Sequence, residues 1–172
     1  PDLMHHLLPH LEWAGHAADA LVFGLLISLA LETREEKERW PYVIFLFSSL
    51  ILLRSICVCL NPLMPPLGLS QSLTYATHAS EPGMFFSGHV AMAFLVFLLT
   101  RTHRRLKLVL TFFVALGLLL SRAHYSIDIV GGYAMAWCCY SGCRCWFRKW
   151  FLHDPDTVCL LYTSDAADDL TR

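Results

Sequence analysis

Charge is scarce in this sequence. Thirteen Lys and Arg with fourteen Asp and Glu make up 16% of 172 residues, against about 25% in an ordinary soluble domain. With 56% hydrophobic residues and a mean hydropathy of +0.49, the composition excludes an ordinary water-soluble domain and points to a bilayer as solvent. A net charge of −1 decides little, because the signal lies in where the charges sit, and no nucleic-acid partner is read from it. A disulfide framework is not implied either: the seven cysteines fall mostly inside apolar runs, where Cys packs as a small hydrophobe. Lys and Arg are missing altogether from 1–16 and from 61–87.

What is present is a series of apolar runs. The first, about 17–31, is short for a bilayer of about 30 Å unless flanking helix lies in the interface. The second, 41–60, is interrupted only by Ser48, Ser49, Arg54 and Ser55. An Arg in hydrocarbon is costly, so Arg54 is expected to face the bundle interior or a wet cavity. Pro62, Pro65 and Pro66 end that helix. A third run, 88–100, becomes a span only if Met84, Phe85 and Phe86 join it. The fourth is 108–120 with its flanks, and the fifth is 125–147. The expected fold is therefore all-α, a polytopic transmembrane helix bundle with five spans.

Positive charge orients it. Three Lys and Arg lie in 32–40, four in 101–107 and three after the last span. Basic loops face the cytoplasm, so the alternate loops, 61–87 and 121–124, face outward. The four histidines His5, His6, His10 and His16 could be read as a metal cluster. No Cys or carboxylate spacing supports that, and an interfacial helix with exposed histidines fits better.

Both ends call for trimming. The chain opens on Pro1, which implies a missing start. Its tail from Cys159 back-translates into a string resembling the transposon end and primer of a sequencing library. Residues 1–158 are therefore taken as an N-terminally truncated membrane domain and 159–172 as non-native, the alternative being an ordinary acidic tail.

Two polar clusters mark the outward ends of the apolar runs: Phe86-Ser87-Gly88-His89, and Ser121 through Asp128. If the second run is helical from its start, His124 and Asp128 stand four residues apart on one face, and the carboxylate can orient the imidazole. An imidazole nucleophile held by a carboxylate, a second histidine as acid, and cationic or backbone donors can together cleave a phosphate ester. His124 with Asp128 supplies the first pair, and His89 the acid. Arg122 offers a planar fork for two phosphate oxygens. Ser87 and Gly88 lie at a helix start, where anions are favoured, and Arg54 can be a second cation. The set requires no metal and no cofactor. Gly131 and Gly132 read as close-packing positions, not as ligands.

Ser87-Gly88-His89 followed by Ser121-Arg122-x-His124-x-x-x-Asp128 resembles the paired signatures of the membrane phosphatidic-acid-phosphatase type 2 superfamily. Phe86 in place of Pro, and the short spacing from Arg122 to His124, turn the resemblance toward its sphingomyelin synthase-like branch, with YSGH and HYTxDxxxAY motifs. Tyr133 fits the second of these. Pro1-Asp2 with Pro9-His10 resembles that branch's PPLPD segment, and Arg54-Ser55-Ile56 with Pro62 and Pro65 its RSIT and LPVP segments. The resemblance implies a six-span core of which five remain, with His124 as nucleophile, Asp128 as its partner and His89 as the other catalytic histidine.

Three functions follow. The leading one is an enzyme that moves a phosphoryl-bearing head group from a phospholipid or lipid phosphate to a lipid alcohol acceptor through a phosphohistidine. The second is a lipid phosphate phosphatase, favoured by Arg122. The third is a non-catalytic membrane protein that binds lipid.

Overall fold

The computed structural model describes residues 2–60 and 86–151. The proline-bearing 61–85 segment, with Met84 and Phe85, lies outside them, as do Pro1 and the tail beyond 151. Every regular element among the described residues is a helix: α1 Leu3–Leu7, α2 Trp13–Thr33, α3 Trp40–Leu60, α4 Gly88–Leu99, α5 Arg104–Leu120 and α6 Ser126–Phe151. A 3-10 turn, Lys37–Arg39, leads into α3.

Two of these are long and apolar enough to cross a membrane, Trp13–Thr33 and Lys37–Leu60. The first lengthens the 17–31 run at both ends to 21 residues, about 31 Å at 1.5 Å per residue. Only 17% of the most apolar stretch of Lys37–Leu60 is buried, and Ile51 and Leu52 are more than half exposed. A soluble core helix would hide such a surface; a helix among lipid tails has no reason to.

The third run is shorter than expected. Phe86 takes a left-handed backbone (φ 51°) and does not join α4; Ser87 is the extended N-cap. At 12 residues, α4 is about 18 Å long. It packs against α2, α3, α5 and α6 and is buried nearly all round through Val90, Ala91, Ala93, Leu95, Val96, Leu98 and Leu99. A helix apolar on every side belongs at the centre of a bundle.

Close approaches hold the surrounding helices. A Cβ on Gly117 would meet the Ala14 carbonyl at 2.9 Å and the Ala18 Cβ at 3.2 Å, so α5 reaches α2 only through small residues. Gly132 would meet the Ser87 carbonyl at 2.9 Å and Gly131 the Phe86 Cβ at 3.0 Å. These two glycines are packing positions between α6 and the start of α4.

Helices α2 to α6 alternate in direction between the two ends of the bundle. At one end the basic loops meet. Glu32 accepts from Lys107 Nζ at 2.7 Å, from the Thr100 hydroxyl and from the Thr102 amide at 3.0 Å. Arg39 donates to the Leu99 carbonyl, and Arg101 pairs with Glu36 at 3.4 Å. The polar clusters singled out in the sequence lie at the other end.

Candidate active site

The N-terminus of α4 is built by its cap. Ser87 accepts the Val90 amide through its hydroxyl at 3.4 Å, and its own N–H donates to the Asp128 carbonyl at 2.9 Å. The start of α4 is thereby fastened to the first turn of α6. His89, one residue into α4, points its Nε2 at Asp19 Oδ1, 3.0 Å away. Asp19 lies on α2 and is only 5% exposed. Sequence reasoning missed it, although the signal was there: an acidic residue inside an apolar run is functional by default, at position 19 as at position 128.

His124 is not inside a helix. It belongs to the turn between α5 and α6, which begins only at Ser126. The pairing with Asp128 survives for another reason. Asp128 is the third residue of α6 and reaches back, as in a capping box, to accept the Tyr125 amide on Oδ2 at 3.1 Å. That same oxygen lies 3.6 Å from His124 Nδ1, an ion-pair distance just beyond a hydrogen bond. His124 is 3% exposed and Asp128 1%. His124 Nδ1 and Asp128 Oδ1 have no hydrogen-bond partner among the described residues.

Burial pushes the His124 pKa below the ordinary imidazole value. Asp128 pulls it back upward, while His89 and Arg54 add to the lowering. The neutral imidazole, the form able to attack phosphorus, is thus favoured.

Arg54, near the end of α3, lies over Gly88: a Cβ there would stand 2.9 Å from its Nε and 3.1 Å from its Cδ. Its Nε is buried with no partner among the described residues. The structure thus brings Arg54, Ser87, Gly88, His89, His124 and Asp128 to one end of the bundle, with Asp19 added. Arg122 goes elsewhere. Its backbone is left-handed (φ 54°) and its Nη2 donates to the His5 carbonyl at 3.3 Å. Among the described residues, no three of His, Cys, Asp or Glu are grouped to hold a metal ion.

Among the described residues, an all-helical bundle with two helices able to cross a membrane carries at one end two histidine–carboxylate pairs beside a cation, residue types suited to phosphate-ester chemistry. A family model described as AtPDCT1/2 matches residues 43–143, more than half of the chain and a range that includes Arg54, Ser87, Gly88, His89, Arg122, His124 and Asp128. The chain belongs to this family, that of phosphatidylcholine:diacylglycerol cholinephosphotransferase. This corrects the resemblance read from the motifs: the family matched is neither the type 2 phosphatidic acid phosphatases nor the sphingomyelin synthases. Ser-Gly-His and His-x-x-x-Asp are too short to tell such families apart. No curated protein and no solved structure matches the chain.

Proposed function

We propose that the protein transfers phosphocholine from phosphatidylcholine to a diacylglycerol through a phosphohistidine on His124. The reading rests on one observation above the rest: each of the two histidines is held by its own carboxylate, His124 by Asp128 and His89 by Asp19.

With Nδ1 turned to Asp128, His124 presents Nε2 to phosphorus. An N–P bond forms as the P–O bond to the first diacylglycerol breaks, and the leaving oxygen takes a proton from imidazolium His89. Asp19 stabilises that imidazolium at Nε2 and leaves Nδ1 for the transfer. In the second half the hydroxyl of the incoming diacylglycerol gives its proton to His89, its oxygen attacks phosphorus, and the N–P bond breaks. Arg54 and the N-terminal end of α4 hold the non-bridging oxygens as charge grows. The 3.6 Å gap between His124 and Asp128 closes to a hydrogen bond once substrate is seated.

Depth supports a lipid head group as substrate. Asp19 is six residues into α2 and Arg54 six before the end of α3, each about 9 Å from its helix end at 1.5 Å per residue. These side chains would then lie below the end of the bundle, at the depth where head group and glycerol meet. We read five membrane crossings, a reading that the alternating directions of α2 to α6 support, with the basic loops cytoplasmic and the site on the opposite face. The short α4 is tolerated because four helices surround it.

The test is incubation of the protein in liposomes with choline-labelled phosphatidylcholine and a diacylglycerol of different chain length. Label in the new phosphatidylcholine is expected, and His124→Ala abolishes it. Free phosphocholine alone would mean hydrolysis, an absence of products a binding role, and an unimpaired His124→Ala variant would remove the nucleophile.

A further inference from the structure

The five-residue α1 is too short to stand alone, and Met4 and Leu7 are 41% and 67% exposed, so apolar burial does not hold it. What holds it is polar and aimed at one place. The Asp2 carboxylate accepts the Met4 amide at 3.0 Å and the Ser126 hydroxyl at 2.7 Å on one oxygen, and the Ser126 amide on the other. It thereby caps two helices, since the Ser126 amide is one of the orphan donors of α6. His5 donates from Nε2 to the His124 carbonyl at 2.9 Å, and its ring lies against Tyr125 with centroids 5.6 Å apart. Arg122 closes the loop by donating to the His5 carbonyl at 3.3 Å. Residues 122, 124, 125 and 126 are all engaged by residues 2 and 5.

We propose that this N-terminal segment is a clasp, and that Asp2, His5 and Arg122 are positioning residues that fix the main chain of His124 and the first turn of α6, which carries Asp128. The clasp explains how Arg122 is kept left-handed, a conformation that persists only where its surroundings over-determine it. It also assigns Arg122 a role other than gripping phosphate. Asp2 stays charged in this position. Burial alone would raise its pKa, but the hydrogen bonds from Ser126 outweigh that and lower it.

The proposal rests on the transfer reading for its kinetic test and on protection of His124 for an independent one. In the liposome assay, Asp2→Asn and His5→Ala are expected to lower kcat about tenfold or more with KM little changed, since small misplacements of a reacting group cost rate. His5→Gln, which keeps a donor for the carbonyl, restores it. In the same full-length variants, carbethoxylation of His124 by diethyl pyrocarbonate, followed by peptide mass spectrometry, is expected to be about tenfold faster or more for Asp2→Asn and His5→Ala and unchanged for His5→Gln. Should the wild type transfer no label, the transfer reading fails and the modification rates still decide the clasp. Wild-type protection of His124 in both Asp2→Asn and His5→Ala would overturn it.

Discussion

Arg54 occupies the space where any side chain at position 88 would begin, with its Nε 2.9 Å from the Cβ that Gly88 lacks. The glycine at the head of α4 is therefore a requirement of the cation, and the cation lies over the helix start where an anion is favoured.

Gly88→Ala is expected to push Arg54 aside without unfolding the bundle, because the φ of Gly88 is ordinary and only the side chain of Arg54 must yield. A drop in kcat/KM of about tenfold is expected, and a larger one for Arg54→Ala. The double variant should be no worse than Arg54→Ala, as groups acting as a unit are non-additive. Transfer assays on the three variants check this; additive losses would separate the two residues.

Asp19→Asn keeps the shape of the side chain and removes its charge. The charge facing the His89 ring is lost, and kcat is expected to fall about 10²-fold, within the usual range for general acid catalysis. Steady-state kinetics check it, with wild-type activity for Asp19→Asn the contrary result.

Burial holds the His124 pKa below the ordinary imidazole value of about 6.5. The competent form is neutral, so activity is present above the folded pKa and is lost as pH falls through it. The acid limb of kcat/KM should therefore lie below about 6.5. Asp128 raises this pKa, while His89 and Arg54 lower it; Asp128→Asn should move the limb to still lower pH while slowing the reaction. A pH–rate profile with its acid limb above about 7 would mean that His124 is not the group titrating.

The residues that could be read from the sequence are those whose partners are near in the chain. His124 and Asp128 are four apart, and their pairing survives even though the helix begins two residues later than the spacing assumed. The long apolar runs became helices within a few residues of their expected bounds. His89 and Asp19 are seventy apart, and nothing local marks one as the other's partner. That α4 starts only at Gly88 depends on the left-handed Phe86, which apolar composition does not announce. Arg122 reads as a phosphate fork because an Arg beside a histidine invites that reading; the acceptor that its Nη2 has here, the His5 carbonyl, is 117 residues away and could not be read from the local sequence. The family escaped the motifs for the same reason: what they spell is the shared local chemistry of a histidine and a carboxylate, not the lipid it serves.

The central claim is a covalent bond between phosphorus and His124. Rapid acid-free quenching of the protein after exposure to phosphorus-labelled phosphatidylcholine without acceptor, followed by peptide mapping, reads that bond directly. The account predicts label on the peptide containing His124, stable to base, discharged into phosphatidylcholine on adding diacylglycerol and missing from His124→Ala. Label on another residue, or transfer by the wild type with no labelled protein at any time, would contradict it.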